Sequence, residues 1–180
     1  MTFSCGYPFK VPKLLLKRVH YAINFHPTLL PRHRGRYLHW IILEGDRESG
    51  VTAHFMDNEL DTGAIIRQMR FPVSKFDTVD SLLRKSADLE KRMAIRLLED
   101  LLRRRAVTGA MQVEALATSQ FQKRTPEDSR IDPSKPLVEL YDQIRVCHPE
   151  LYPAFFEVEG QKVGVKFFRL DKPTEEFDLI

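Results

Sequence analysis

The stretch YAINFHPTLLP at residues 21–31 decides how this chain folds. Residues 21–25 combine apolar and aromatic side chains and predict a β-strand. Pro27 and Pro31 end that strand, because proline has no N–H group to donate to a central ladder. We therefore expect a strand that stops near His26 and passes directly into a loop.

Within this strand, side chains alternate between the two faces of the sheet. Ile23 and Phe25 are expected to face the core, so Asn24 and His26 project together from the opposite face. Asp61 follows later in the chain, in the turn-forming sequence LDTG. An amide, an imidazole and a carboxylate are three groups that acyl transfer to an amine can use.

The three groups suit distinct steps of that chemistry. When an amine attacks an acyl carbon, a tetrahedral oxyanion forms, and the Asn24 amide and the His26 imidazole can donate hydrogen bonds to it. The Asp61 carboxylate would favour the protonated imidazole and can accept the amine proton, directly or through water. A hydrogen-bonded structural pair is the alternative interpretation of Asn24 and His26 taken alone.

The amino-acid composition limits the classes of protein to which this chain can belong. The chain has 180 residues, of which 43% are apolar and 29% charged, and this predicts one main globular domain. Its two cysteines, Cys5 and Cys147, are too few for a disulfide framework, so a reducing compartment, the cytoplasm, fits best. No stretch approaches the roughly 20 apolar residues that span a bilayer, and residues 1–16 lack the pattern of an export signal.

Positive charge is concentrated in two places. The net charge is only +3, but residues 32–36 (RHRGR) and 103–105 (RRR) are strongly basic. The second cluster is expected in the last turn of a long helix, where cations complement the helix dipole. The first directly follows the Asn/His motif, and there both contact with a phosphate or carboxylate and simple solvation are open.

Around the motif, hydrophobic periodicity predicts alternating helices and strands. A long helix is expected from a cap at residues 77–78 to about residue 105, with Gly109 as its stop signal. Its buried stripe is predicted to comprise Leu83, Ala87, Ala94, Leu97, Leu98 and Leu101. Two further helices are predicted, one at 11–19 that buries Leu14, Leu15, Leu16 and Val19, and one at 136–146. Strands are predicted at 51–56 and 64–73, and a hairpin of residues 154–158 and 162–170 is predicted to turn at Glu159-Gly160. The segment at 37–43 is either helix or strand.

The polar segment at residues 118–135 marks a boundary in this organisation. We predict an α/β catalytic domain over residues 1–117, a linker over residues 118–135, and a small α+β region over residues 136–180. The last region is expected to contain one helix and one β-hairpin.

The remaining polar residues fit structural roles. His54 is predicted to be packed or hydrogen bonded within a strand rather than to act as a base. The acids of residues 57–61 alternate as in a calcium loop, but the glycine and glutamate that such a loop needs are missing. Cys147-His148 lacks partner ligands at metal spacing, so we predict no metal site.

Together these motifs resemble the folate-dependent formyltransferase family. The resemblance covers about residues 3–105 in order and rests on NFHPTLLP at residues 24–31, Arg34-Gly35, GVTAH at 50–54, and DTG at 61–63 with Ile65 and Gln68. It implies that Asn24, His26 and Asp61 are catalytic and that 10-formyltetrahydrofolate is the formyl donor. It also implies that the fold is the C-terminal half of a Rossmann-like formyltransferase domain, followed by the small tail.

The resemblance gives a role to the loop GYPFKVP at residues 6–12. In the family this loop helps to hold the pterin ring of the folate, and the loop before Asp61 closes the other side. Thr28 stands where the family usually has serine, a change that keeps the hydroxyl. The implied donor-binding residues are Gly6, Tyr7, Phe9, Lys10, Val11, Asp57 and Glu59, and the implied acceptor-binding residues are Arg34 and Gly35.

Residues 124–145 favour one class of acceptor. Their sequences RTPEDS and YDQIR resemble the linker shared by family members that act on methionyl-tRNA and on nucleotide sugars. The tail that follows is short and rich in acids, which suits tRNA phosphate poorly. The resemblance therefore implies a nucleotide-linked amino sugar as acceptor rather than a nucleic acid. The alternatives are a fragment similar to methionyl-tRNA formyltransferase, a folate-binding module without turnover, and a formyltetrahydrofolate hydrolase.

The start of the chain raises a structural expectation. In the family, a nucleotide-binding half of roughly 80 residues, at ~30 residues per βαβ unit, precedes the residues that match Phe3. Without those strands, we expect an uncovered sheet edge next to the motif strand. A longer chain, a partner chain or a homodimer would each cover that edge.

Overall fold

A computed structural model of the chain describes residues 2–5, 7, 9–35, 38–117 and 124–176. The chain divides into two compact units. The first comprises Met1–Tyr37, Glu48–Pro72 and Arg84–Phe121, and the second comprises Leu38–Arg47, Val73–Leu83 and Gln122–Ile180. The fold is a mixed α/β fold, as predicted.

The first unit is built on a four-stranded sheet with the strands in chain order. The strands are β1 (Thr2–Cys5), β2 (Ala22–His26), β3 (Glu48–Phe55) and β4 (Ile65–Pro72). β1 and β2 run parallel, whereas β2, β3 and β4 form antiparallel pairs. The motif strand and the strand, loop, strand unit of the prediction are therefore confirmed.

The motif strand β2 is not itself an edge strand of the sheet, but its neighbour β1 is. β2 pairs with β3 on one side and with β1 on the other, in a register that sets Ser4 beside Asn24. The sequence analysis assigned no element to residues 2–5, because four residues are too few to show periodicity. Within the part of the chain that the structure describes, β1 pairs with β2 alone and so forms the edge next to the motif strand, while β4 forms the opposite edge.

The core of this unit lies on the face of β2 that the alternation predicts. Ile23 and Phe25 are fully buried and pack with Val51 and Ala53 of β3. Other buried members of the cluster are Met93 and Leu97. Phe3 of β1 adds an edge-to-face contact with Phe25, with ring centroids 5.6 Å apart. This packing leaves Asn24 and His26 on the opposite face.

Helix α1 is shorter than predicted. It spans only Lys13–Leu16, with Pro12 as the residue that precedes its first turn. Leu14 and Leu15 are exposed rather than buried. The predicted bounds were wrong because Leu15, Leu16 and Val19 fit the helical spacing, and that spacing alone does not show that a face is buried.

The long helix α3 spans Val79–Leu102. Its predicted cap is confirmed, since the Thr78 hydroxyl accepts a hydrogen bond from Ser81 N at 3.2 Å. The predicted stripe was displaced by one residue at its start: Leu82, Ser86, Met93 and Leu97 are buried, whereas Leu83, Ala87 and Leu98 are exposed. Two nearly equivalent stripes exist in a leucine-rich helix, and only the tertiary contacts select one.

Gly109 does not end this helix. α3 stops at Leu102, and Arg104 then adopts a left-handed conformation with φ of +54°. Consequently Arg103, Arg104 and Arg105 follow the last turn rather than lying within it. Gly109 instead permits a close approach, because a Cβ there would lie 3.0 Å from Ala64 Cβ and 3.1 Å from a Phe55 ring carbon.

The second unit contains two helices and a hairpin. Residues 37–43, left open between helix and strand, are a helix over Leu38–Leu43 (α2). The predicted second helix is Leu137–Arg145 (α4), and the hairpin consists of β5 (Ala154–Val158) and β6 (Gln161–Val165). Glu159 and Gly160 both have positive φ, of 50° and 76°, which is typical of a two-residue type I′ turn. The core of this unit comprises Ile131, Leu140, Ile144 and Ala154.

None of the helices in the described part of the chain combines the length and apolar character that crossing a membrane requires.

Candidate active site

Asp61 lies at the centre of a buried polar cluster in the first unit. Asp61 is only 7% exposed, and its backbone adopts a left-handed conformation with φ of +56°. Its Oδ2 atom accepts a hydrogen bond from Gly35 N at 3.0 Å. Gly63 fits the same loop tightly, because a Cβ at this position would lie 1.8 Å from the Phe55 carbonyl oxygen.

His26 faces the Asp61 carboxylate from the end of β2. Its Nδ1 atom lies 3.4 Å from Asp61 Oδ2, and its Nε2 atom lies 2.9 Å from the His33 carbonyl oxygen. A carbonyl oxygen can only accept, so Nε2 carries a hydrogen and donates it. In the neutral ring Nδ1 is then unprotonated and presents a lone pair to the carboxylate, an arrangement that favours uptake of a proton between them.

Asn24 joins the cluster from the same face of β2. Its Nδ2 atom lies 3.2 Å from His54 Nε2 and 3.4 Å from Asp61 Oδ1, so each amide hydrogen has an acceptor. His54 Nδ1 in turn lies 2.8 Å from the Phe55 carbonyl oxygen and donates to it, which leaves Nε2 to accept from Asn24 in the neutral ring. The carboxylate prevents the opposite amide orientation, because the Asn24 carbonyl would then face Asp61.

His54 is hydrogen bonded, as predicted, but the sequence analysis did not place it in this cluster. It lies directly opposite Asn24 in the pairing of β2 with β3. Its Nε2 atom is 3.5 Å from Asp61 Oδ1. Cross-strand pairing with Asn24 was the signal that could have identified it, but the register of two strands is not readable from either one alone.

The motif residues after β2 are held by a second set of bonds. Thr28 Oγ1 donates to the Arg32 carbonyl oxygen at 3.1 Å, which closes the turn. Thr52 Oγ1 donates to the Thr28 carbonyl oxygen at 2.7 Å and accepts from Leu30 N at 3.0 Å. Gln68 Nε2 adds a bond to the Leu30 carbonyl oxygen at 2.8 Å. These contacts hold the loop that presents the His33 carbonyl and the Gly35 N–H group.

Burial and charge set the protonation of the cluster. Burial alone would raise the pKa of the Asp61 carboxyl, but a hydrogen bond from His54 and the charge of His26, each with its ring protonated, together with the Gly35 N–H bond, hold that pKa below its usual range. Burial lowers the pKa of the His26 imidazole, and the attraction of Asp61 only partly opposes this. At neutral pH the cluster therefore contains an ionised carboxylate beside a neutral imidazole, which together can accept a proton.

This arrangement makes the stability of the first unit depend on pH. Because the folded pKa of His26 lies below its unfolded value of about 6.5, its contribution is complete above that value and is lost as the pH falls toward the folded pKa. We expect His26→Gln to reduce the decline of the free energy of unfolding between pH 6.5 and 5 by up to about 1.4 kcal/mol per pH unit. Denaturant titrations at several pH values measure this.

The matched control for that measurement is His20→Gln, since His20 is exposed and lies just before β2. The pKa of His39 is also lowered, by burial and by Arg124, but His39 is present in all three proteins and cancels from the comparison. A His26→Gln profile parallel to that of the unsubstituted protein would contradict the assignment of a buried neutral imidazole.

The structure gathers some predicted site residues and leaves others at the surface. Asn24, His26, Asp61 and Gly35 lie in one cluster. Of the predicted donor-binding residues, Tyr7 and Phe9 are 55% and 72% exposed, with ring centroids 5.7 Å apart. Lys10, Asp57 and Glu59 are exposed, Val11 is half-buried, and Gly6 lies outside the described residues.

Because β1 and β2 are parallel and in register, the loop after β1 leaves the sheet at the same end as the motif.

Arg34, predicted to bind the acceptor, has its guanidinium occupied by other side chains. It is 6% exposed and donates two hydrogen bonds to Glu114, at 2.9 and 2.8 Å. It also donates to Gln112 Oε1 at 3.2 and 2.9 Å. Sequence analysis missed Gln112 and Glu114, because nothing in their neighbourhood shows a periodicity or motif that points to them.

The fold and this cluster define a class: an α/β protein whose central strand ends in a buried carboxylate, imidazole and amide cluster suited to proton transfer. A sequence model of the formyl transferase family matches residues 6–98. The chain belongs to this family, which confirms the resemblance.

Similar proteins extend this finding. A methionyl-tRNA formyltransferase of Bacteroides fragilis is 34% identical over 159 residues, which cover 84% of this chain and 48% of that protein. The solved methionyl-tRNA formyltransferase of Clostridium thermocellum has a TM-score of 0.72 at 26% identity, over 94% of this chain and 74% of that chain. A 4-N formyltransferase of Francisella tularensis has a TM-score of 0.74 at 27% identity, over 92% and 69%. The chain thus spans about half the length of the curated relatives it matches.

Proposed function

We propose that this chain transfers a formyl group from 10-formyltetrahydrofolate to an amine, with Asn24, His26 and Asp61 as the catalytic groups. The observation that carries the proposal is the buried cluster itself. An imidazole whose Nδ1 lone pair lies 3.4 Å from an ionised carboxylate is a ready proton acceptor. Membership of the formyl transferase family supports the reaction class.

In the proposed reaction, the amine nitrogen bonds to the formyl carbon while the carbonyl electron pair moves to oxygen. The His26 Nε2–H and Asn24 N–H groups donate to this oxyanion, in competition with the His33 carbonyl and with His54 and Asp61, their acceptors in this structure. The amine proton passes to Asp61, directly or through water. The tetrahedral intermediate then collapses, the bond from carbon to N10 of the folate breaks, and N10 takes a proton from the same cluster.

The donor is proposed to lie against the loop after β1. Tyr7 and Phe9 present exposed rings in T-shaped contact, a surface on which a flat heterocycle can pack. Asp57 is expected to close the opposite side, where its Oδ1 accepts from Glu59 N at 3.0 Å and from Thr62 Oγ1 at 2.7 Å and so shapes the loop.

A nucleotide-linked amino sugar is the acceptor that we propose. Residues 124–145 carry the linker sequences RTPEDS and YDQIR, and the residues around the hairpin are rich in acids, which repel tRNA phosphate. Methionyl-tRNA is the second candidate, favoured by the Bacteroides fragilis relative at 34% identity.

The test incubates the full chain with 10-formyltetrahydrofolate and one acceptor at a time: uridine- and thymidine-diphosphate amino sugars, methionyl-tRNA, or water alone. Mass spectrometry follows the formylated product, and absorbance follows release of tetrahydrofolate. We expect formylation of at least one nucleotide-linked amino sugar. Formylation of methionyl-tRNA alone would overturn the acceptor, formate release without acceptor would identify a hydrolase, and folate binding without turnover would overturn the transferase.

A further inference from the structure

Gln112 connects the Asp61 loop to a buried arginine. Its Nε2 atom donates hydrogen bonds to the Asp61 and Gly63 carbonyl oxygens, both at 2.8 Å, although 51 residues separate it from Asp61. Its Oε1 atom accepts from Arg34 Nε and Nη2 at 3.2 and 2.9 Å. All four hydrogen bonds lie within the first unit.

Chemistry allows only one orientation of this amide. Backbone carbonyls can only accept and a guanidinium can only donate, so Nε2 must face Asp61 and Gly63 while Oε1 faces Arg34. The Arg34 guanidinium is itself oriented by a bidentate contact with the Glu114 carboxylate. The Gln112 side chain therefore cannot rotate without losing bonds at both ends.

The backbone around Gln112 is fixed to the same loop. Ala110 N donates to the Ile65 carbonyl oxygen and Ile65 N donates to the Ala110 carbonyl oxygen, both at 2.8 Å. Gly109 allows this approach, because any side chain there would meet Ala64 and Phe55. The segment after α3 thus runs beside the start of β4 and reaches the loop from outside the sheet.

Asp61 needs such support, because its left-handed backbone conformation costs about 1 kcal/mol for a residue other than glycine. The two bonds from Gln112 hold the carbonyls of Asp61 and Gly63, on either side of Thr62. A change in φ at Asp61 would swing its carboxylate away from His26 Nδ1 and Gly35 N.

We propose that Gln112, oriented by Arg34, is a positioning residue that holds Asp61 in its left-handed conformation and so aligns its carboxylate with His26. This inference rests on the proposed function only for its kinetic consequence. The alignment itself is a property of the folded chain and can be measured without any substrate. Arg34 then acts through Gln112 and not by direct contact with the acceptor.

The test uses Gln112→Met, which keeps the side-chain length and removes both hydrogen-bonding functions, in the full chain. We expect kcat to fall on the order of 10- to 100-fold while KM for the formyl donor stays within about twofold, because misalignment affects the reacting groups rather than binding. Gln143→Ala is the matched control, since Gln143 also donates to a backbone carbonyl, that of Arg130, in the second unit. It should leave both constants unchanged.

Titration of the His26 ring by nuclear magnetic resonance supplies the readout that does not depend on turnover. Asp61 raises the pKa of His26, so Gln112→Met should move that pKa further down, in the same direction as Asp61→Asn. In an Asp61→Asn background, Gln112→Met should produce no additional shift, because the two changes act through one interaction.

Unchanged kcat together with an unchanged His26 titration in Gln112→Met would overturn the proposal, as would equal shifts with and without Asp61. If formyl transfer is absent in the unsubstituted chain, the proposed function fails while the titration still decides the positioning role. If Gln112→Met does not fold, Gln112→Asn keeps the amide but is one methylene too short to reach both partners, and the same two outcomes apply to it.

Discussion

Replacing Asp61 with alanine should reduce the rate of formyl transfer on the order of 10³-fold, within the range that acid and base groups contribute. The substitution removes the acceptor for the amine proton, the charge that opposes the lowered pKa of His26, and the partner of Gly35 N. His26→Ala should produce a loss of similar size, because it removes both a proton acceptor and an oxyanion donor. Transfer is measured under saturating donor and acceptor.

Two further measurements separate catalysis from folding in this experiment. Asp61→Asn keeps the size of the side chain and can still accept from Gly35 N, so it should lose activity while retaining the fold. Asp88→Ala is the matched surface control, since Asp88 is exposed and pairs with Arg92 on α3. Binding of the formyl donor should survive in all variants. Activity in Asp61→Ala within a few-fold of the unsubstituted chain would refute the catalytic assignment.

Gly63→Ala should have the largest effect on folding. An added Cβ would lie 1.8 Å from the Phe55 carbonyl oxygen, a backbone atom of β3 that cannot move aside without breaking the sheet. We expect a loss of about 3 kcal/mol or more in the free energy of unfolding, at the upper end of overpacking effects. Gly50→Ala should behave in the same way, since its Cβ would lie 2.1 Å from the Met69 carbonyl oxygen.

Gly164→Ala provides the matched control on a strand. Its nearest neighbour would be Pro153 Cβ at 3.7 Å, an ordinary van der Waals distance, so stability should change by about 0.5 kcal/mol or less. Chemical denaturation followed by far-ultraviolet circular dichroism compares the three variants. Equal stability of Gly63→Ala and Gly164→Ala would show that the Asp61 loop is less tightly packed against β3 than described.

Local sequence patterns correctly predicted the parts of the fold that depend only on residues adjacent in the chain. Period-two alternation placed Ile23 and Phe25 in the core and Asn24 and His26 on the other face. The Glu159-Gly160 turn was readable because glycine accepts positive φ at little steric cost and stands here between two apolar runs. The Thr78 cap was readable for a similar reason, since a hydroxyl before a helical run has few other roles.

Prediction failed where the sequence near an element did not show which residues are buried, where a helix ends or whether a short segment pairs as a strand. In α3, stripes that begin at Leu82 and Leu83 are both apolar, and the buried one depends on the surface that the helix covers. The end of α3 at Leu102 was missed because Arg104, and not a glycine, adopts the left-handed conformation. Strand β1 was missed because its four residues form a strand only through their pairing with β2.

The sequence by itself determined the chemical groups of the site and the family to which the chain belongs, because both follow from a few short motifs, each made of neighbouring residues. Only the tertiary structure decided their arrangement. His54 enters the cluster through strand register, Arg34 turns toward Glu114, and Gln112 reaches Asp61 across 51 residues. Hydrogen bonds between distant segments leave no periodic trace in a sequence, since each requires only one suitable atom at one point in space.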